Sequence, residues 1–244
     1  MTSVQKRVPV SLEAPHCSSC MIGNVCIPAG MARHEVEQLD KLVQERVRLQ
    51  KGQLLYQDGN TLDALYSLRL GSIKTQLEEA CGRVQITGFF LPGEVVGLDG
   101  MPDGRHSSNA VAMEDSEVCV IRLSNIDDIS RYVPSLQQQV RRIMSKEIAR
   151  AHQVLLALGS MRSEARLAAF LLNLSDRLTS LGYSSTDFLM RMSREEIGNY
   201  LGLTLETVSR LFSRFAREGL ITVNQREVKL LNLSALKELA CHPV

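Results

Sequence analysis

Three cysteines fall within ten residues near the start of the chain, where residues 15–28 read PHCSSCMIGNVCIP. Cys17, Cys20 and Cys26 form a C-x2-C-x5-C pattern in a stretch with few periodic apolar positions, so the segment is a loop that something must organise. Thiolates are soft ligands, and three at this spacing suit zinc or an iron–sulfur cluster. A fourth ligand has to come from elsewhere in the fold. Zinc sites more often use paired C-x2-C knuckles, and a single knuckle tips the balance towards iron without closing the zinc reading. An enzyme using these thiols with His16 or His106 as a base is the rival class. The sequence places no orienting acid beside either histidine.

A second chemical signal lies near the other end, in SREEIGNYLGLTLETVSRLFSRFAREGLI. Ser193 and Glu196 form a capping box for a short helix that stops at Gly202. Thr204 caps a second helix running to about Arg217, and two short helices around a Gly-Leu-Thr turn predict a helix-turn-helix. Val208, Leu211, Phe212 and Phe215 form the buried face of the second helix. Glu206, Ser209 and Arg210 stand on the opposite face, near the end that enters a major groove. Arg210 can pair bidentately with guanine, Glu206 can accept from cytosine N4, and Ser209 reaches a base or a phosphate. Arg214 and Arg217 continue along the helix where the DNA backbone lies. Leu220 to Val223 and Val228 to Leu231, joined at Asn224-Gln225-Arg226, read as a wing. The expected partner is double-stranded DNA, bound through local positive charge, since the chain as a whole carries a net +1.

Between these motifs runs the element that must carry one to the other. Pro134 to Leu158 is uninterrupted by Gly or a second Pro. It predicts a helix of about 25 residues, about 37 Å long. Met144, Ile148, Ala151, Leu155 and Leu158 repeat at alternating spacings of four and three, a narrow seam suited to pairing with a twofold copy. The pattern therefore predicts a homodimer. Before this helix the texture is strand-like: Leu54 to Tyr56, Ala64 to Leu70, Ile73 to Leu77, Val84 to Phe90, Ala110 to Ala112 and Glu117 to Ile121, separated by Gly-rich turns. That is the pattern of an antiparallel barrel or jelly roll. Cys119 alternates with Val118 and Val120 and so points to the face opposite theirs. Ala32 to Leu49 reads as one amphipathic helix, from Val36, Leu39, Leu42, Val43 and Val47. Asn125 to Tyr132 reads as a short helical link, and Arg162 to Leu181 as a further helix closed by Gly182.

The 244 residues thus divide as a cysteine-rich loop (1–31), a jelly roll (32–133), a dimerisation helix (134–159) and a winged helix-turn-helix (160–244). The expected class is α+β. No apolar run approaches the ~20 residues of a membrane span, and the first residues lack the apolar core of a signal peptide. The expectation is a cytoplasmic protein without a membrane partner. In such a compartment six cysteines point to metal or redox chemistry rather than structural disulfides.

A jelly roll, a long dimer helix and a C-terminal winged helix-turn-helix, with HC-x2-C-x5-C at the N-terminus and IGNYLGLTLETVSR near the end, resemble the FNR branch of the cyclic-AMP receptor/FNR superfamily. The resemblance covers the chain from about Cys17. It implies a [4Fe–4S] cluster on Cys17, Cys20, Cys26 and Cys119, which oxygen converts to [2Fe–2S] with weakening of the dimer. It further implies a twofold TTGAT-N4-ATCAA site read by Glu206, Ser209 and Arg210, and a contact with RNA polymerase, for which Glu79 to Arg83 is a candidate loop. Arg83 stands where that family often has an acidic residue, and Ala151 where it typically has Asp. Met21, Ile22 and Val25 are expected to shield the cluster. Gly93, Glu94 and Gly97 resemble the phosphate cassette of the nucleotide-binding branch. That cassette needs an Arg-Ser or Arg-Thr pair, and this chain has His106-Ser107, with Arg105 one position away; neutral His does not replace a bidentate Arg. A zinc-stabilised or cyclic-nucleotide-responsive regulator of the same superfamily is the alternative.

Overall fold

Two sheets face each other in the N-terminal half because their strands alternate. In a computed structural model, which describes residues 8–9, 16–40, 43–124 and 133–241, β1 (Val8–Pro9), β2 (Val43–Leu49), β3 (Leu54–Tyr56), β4 (Ala64–Leu70), β5 (Ile73–Glu78), β6 (Val84–Phe90), β7 (Val95–Val96), β8 (Asn109–Ala112) and β9 (Ser116–Arg122) follow one another. They form a five-stranded sheet ordered β1-β2-β9-β4-β7 and a four-stranded sheet ordered β3-β8-β5-β6, with every pairing antiparallel. Val47, Leu68, Val118 and Val120 from the first sheet meet Leu55, Ile73, Phe90 and Ala110 from the second in one buried core. This is the expected jelly roll.

The predicted helix over Ala32–Leu49 is not one element. Among its described residues, only Arg33–Leu39 is helical (α1), and Val43–Leu49 is strand β2. Its apolar spacing satisfied a helical period, yet Val47 and Leu49 also alternate with Arg46 and Arg48, and the strand reading wins because β9 is there to pair with. The predicted link Asn125–Tyr132 lies outside the described residues.

The outer face of the five-stranded sheet is covered too. Leu39 at the end of α1 packs with Ile121, Val133 and Leu136, while Leu65 and Val95 pack with Leu62 and, at the margin, Ile27 and Ile143. The long helix α2 runs Pro134–Ser160, one residue past the glycine expected to end it. The chain divides into two compact units, Met1–Ser145 and Lys146–Val244, with the boundary inside this helix.

In the second unit come α3 (Ser163–Ser180), β10 (Asp187–Leu189), α4 (Arg194–Leu201), α5 (Leu205–Arg217), β11 (Ile221–Asn224), β12 (Glu227–Leu230) and α6 (Leu233–Cys241). The capping box is formed: Ser193 Oγ accepts from Glu196 N at 3.1 Å and Glu196 Oε2 accepts from Ser193 N at 2.8 Å. Gly198 lets α4 approach the turn, since a Cβ there would sit 2.7 Å from the Leu203 carbonyl oxygen. Gly202 ends α4 in the left-handed region, at φ 64°. The wing has three strands, β10-β12-β11, not two. Its extra strand and the last helix escaped the pattern reading, one being three residues long and the other the chain's final short helix.

Candidate functional site

Two arrangements of side chains, one in each compact unit, could do chemistry. The first is a cavity between the cysteine loop, the outer face of the five-stranded sheet and the first turns of α2. Cys17, Cys20, Cys26 and Cys119 all line it, with Ile22, Ile27, Leu39, Leu65, Val95, Ile121, Leu136, Val140 and Ile143 as apolar walls. The loop is wound into successive turns, in which Gly23 N donates to Cys20 O, Cys26 N to Ile22 O and Ala29 N to Cys26 O. Asp40, just beyond α1, fastens its start by accepting from Cys17 N, Ser18 N and Ser18 Oγ. Gln139 on α2 fastens its end, donating to Ile27 O at 3.1 Å and Ala29 O at 2.7 Å.

Cys119 sits at the middle of a row across three strands. Its direct partner on β2 is Arg46 and on β4 is Ser67, and opposed residues of an antiparallel pair share a face. Ser67 is buried and its hydroxyl lies 2.9 Å from Cys26 Sγ. Burial, reinforced by Cys26 and Cys119, pushes the Cys17 thiol up to about 12. Burial, then Cys26, pushes Cys119 up to about 11, with Arg46 opposing as a charge and a hydrogen-bond donor. Cys26 is raised by burial, which Ser67 partly offsets. Thiolates here therefore need positive charge beside them, as metal cations provide. Among the described residues, no three His, Cys, Asp or Glu side chains are arranged to hold one metal ion. Four thiols around one cavity form a soft donor set of the kind that suits zinc or an iron–sulfur cluster.

Of the expected shield, Ile22 lines the cavity. Met21 does not: it is 90% exposed. Val25 packs towards Gly93, where an added Cβ would meet its carbonyl oxygen at 2.9 Å. Arg46, Ser67, Asp40 and Gln139 were not picked out by sequence reasoning. The first two become visible only once β2, β4 and β9 are in register.

Where the nucleotide branch would seat a phosphate, this chain has a carboxylate network. Asp99 accepts from Ser107 N, Ser108 Oγ and Tyr56 Oη at 3.0, 2.8 and 3.1 Å, and His106 Nδ1 lies 3.2 Å from it. The His106 ring is buried and stacked on Tyr56 at 3.6 Å. Arg105 points elsewhere, donating to Gly59 O.

The second arrangement is helix α5. Val208, Leu211, Phe212 and Phe215 are buried, and Glu206, Ser209, Arg210 and Arg217 are exposed. Thr204 caps the helix by accepting from Thr207 N at 3.2 Å. Arg214 differs from the expectation of a plain backbone-binding cation. It is held by Glu218 at 2.8 Å and Glu164 at 3.0 Å, so its charge is already matched within the unit. Arg83, in the turn between β5 and β6, pairs with Glu79 at 2.8 Å. On α2, Ile148 is 56% and Leu155 66% exposed, with Met144 and Ala151 also at the surface. Leu158 instead lines a cavity with Arg166, Phe170 and Leu201 of its own unit.

A jelly roll joined by a long helix to a winged helix-turn-helix with an exposed polar recognition face defines a DNA-binding transcription regulator. Residues 46–132 match the cyclic nucleotide-binding domain and residues 165–239 the Crp-like helix-turn-helix domain. The chain is 66% identical over 236 residues to the transcriptional regulatory protein btr of Bordetella pertussis, covering 97% of this chain and 98% of that one. It is 43% identical over 229 residues to the fumarate and nitrate reduction regulatory protein of Escherichia coli, covering 94% and 92%. FixK2 from Bradyrhizobium japonicum superposes with a TM-score of 0.74 at 28% identity, over 82% of this chain and 98% of FixK2. The chain belongs to the Crp/FNR family of transcription regulators, in its FNR branch. These relatives are regulators, not enzymes. Among the described residues no helix is long and apolar enough to cross a membrane.

Proposed function

We propose that this chain is an oxygen-responsive regulator that works as a homodimer and holds a [4Fe–4S] cluster on Cys17, Cys20, Cys26 and Cys119. One observation carries the reading: all four thiols line a single cavity whose wall includes Leu136, Val140 and Ile143 at the start of α2. Bound there, the cluster supplies oxygen-labile chemistry, intact without air and degraded in it. The chain's own residues do the rest. The loop and β9 hold the thiolates, the apolar wall limits water, and Gln139 ties the loop's end to α2, so a change at the loop bears on the helix that pairs. Exposed Met144, Ile148, Ala151 and Leu155 supply the apolar strip for a second copy. Similarity to the anaerobic regulatory protein of Aggregatibacter actinomycetemcomitans, 41% identical over 239 residues, supports a role in anaerobic regulation. The DNA site is a twofold TTGAT-N4-ATCAA-like sequence read by Glu206, Ser209 and Arg210, with RNA polymerase met in part through the Glu79–Arg83 turn.

The zinc reading would use the same four thiols, and metal content separates the two. The cyclic-nucleotide reading is disfavoured by Asp99, a carboxylate where an anionic phosphate needs a cation. Anaerobic purification separates all three. The expected protein is brown, contains iron and bleaches in air, and Cys119→Ser lowers its iron sharply while Cys81→Ser and Cys241→Ser do not. A colourless zinc protein, or full iron in Cys119→Ser, overturns the cluster reading.

A further inference from the structure

We infer that Arg46 is a positioning residue for the metal group: its guanidinium, directly across from Cys119, sets how readily the group gives up an electron. The inference rests on the cluster reading above and deepens it. Strand register puts Arg46 opposite Cys119 on the outer face of the sheet. The side chain lines the cavity, is 22% exposed, and its Nε is buried without a hydrogen-bond partner among the described residues. Such a donor is costly to leave unmet. Arg46 is therefore a cation at the edge of an otherwise apolar cavity, where screening by water is weak.

Its carboxylate partner is shared with two other arginines. Glu117, two residues before Cys119 and on the same face, lies 3.7 Å from Arg46 Nε, beyond hydrogen-bond distance. Glu117 is shared with Arg69 at 2.9 Å and Arg48 at 3.4 Å. One buried carboxylate thus faces three guanidiniums, and the closest of them is Arg69. The potential felt at Cys119 is a balance between Arg46 and this partly neutralised carboxylate. Charge and hydrogen bonds near cluster sulfurs are recognised determinants of potential. Arg46 favours the electron-rich state of whatever the thiolates hold, and so opposes one-electron transfer from the site to dioxygen, which would leave as superoxide. Removing Glu117's charge has the opposite sign, because it uncovers the arginines.

The test uses the full chain, loaded anaerobically, in wild-type, Arg46→Gln, Arg46→Lys, Glu117→Gln and Arg48→Gln forms. Two readouts are followed: the rate of loss of visible absorbance in air-saturated buffer and the cluster's midpoint potential. Arg46→Gln is expected to bleach about tenfold faster, with a potential lower by about 59 mV, the one-electron equivalent of that factor. Arg46→Lys restores most of both values. Glu117→Gln slows bleaching and raises the potential, a direction that general damage to the barrel does not produce. Arg48→Gln, 66% exposed at the side chain, shifts both in the same direction as Arg46→Gln but by less, because water screens its charge. Wild-type bleaching in Arg46→Gln, or faster bleaching in Glu117→Gln, overturns the inference while the cluster reading stands. A wild-type chain that takes up no iron overturns both.

Discussion

At the scale of single residues, the proposed DNA contact gives the exposed side chains of α5 different expected roles, some reading sequence and others holding the backbone. Arg210 is exposed on α5 and restrained only lightly, its Nη2 lying 3.5 Å from Thr207 Oγ1. A bidentate contact to guanine is worth about 1–3 kcal/mol of discrimination. Arg210→Ala is therefore expected to weaken a cognate site far more than random DNA in fluorescence anisotropy titrations. Equal losses on both would show that it contacts phosphate. Arg217→Ala should weaken both sites alike and reduce the slope of log K against log salt by about 1. Arg214→Ala should change that slope less, because Glu218 and Glu164 already hold its guanidinium.

At the scale of elements, the second unit depends on one cation gathering the ends of two helices. Arg166 on α3 donates Nη2 to Leu158 O and Nε to Met161 O, at 2.9 and 3.0 Å, and Nη1 to Leu201 O at 3.0 Å. These are terminal carbonyls of α2 and α4, and a positive charge there also suits the helix dipoles. Gly202 sits against this clamp, where an added Cβ would lie 3.4 Å from Arg166 Nη1. Hydrogen bonds to a charged donor contribute about 1.5–3 kcal/mol each and do not add fully. Arg166→Ala is expected to destabilise the second unit by about 2–4 kcal/mol, read as a lower urea midpoint. Lysine, which lacks the fork, should recover little. Gly198→Ala drives a Cβ against a backbone oxygen and should cost about 1–3 kcal/mol. An unchanged midpoint in either variant would show that the turn between α4 and α5 adjusts freely.

For the whole molecule, the proposed dimer along α2 and the proposed cluster together raise the question of whether pairing needs the cluster. Position 151 is an exposed alanine in the middle of the apolar strip. Two carboxylates at this point, facing each other about 6 Å apart at an effective dielectric near 20, would repel by about 3 kcal/mol. Ala151 removes that term and continues the stripe from Ile148 to Leu155. The cluster-free chain is therefore expected to be substantially dimeric at micromolar concentration in sedimentation velocity, and Ala151→Asp mostly monomeric. A wild-type chain that dimerises only after anaerobic loading would show that Ala151 has not bypassed the switch.

Both motifs were legible in the sequence because their signals are short-range. A capping box, a left-handed glycine and a face of Val208, Leu211, Phe212 and Phe215 act within a few residues, so local chemistry determines the helix-turn-helix whatever surrounds it. The alternation around Cys119 was legible for the same reason. The misread stretch was Ala32–Leu49, whose apolar residues suit either period, and only pairing with β9 makes Val43–Leu49 a strand. That pairing also puts Arg46 opposite Cys119 and Ser67 on its other side. Tertiary structure alone decided that Asp40 and Gln139 hold the two ends of the cysteine loop, and that Glu164 reaches Arg214. Those partners are distant in the chain, and no local pattern encodes a contact made by packing separate elements together.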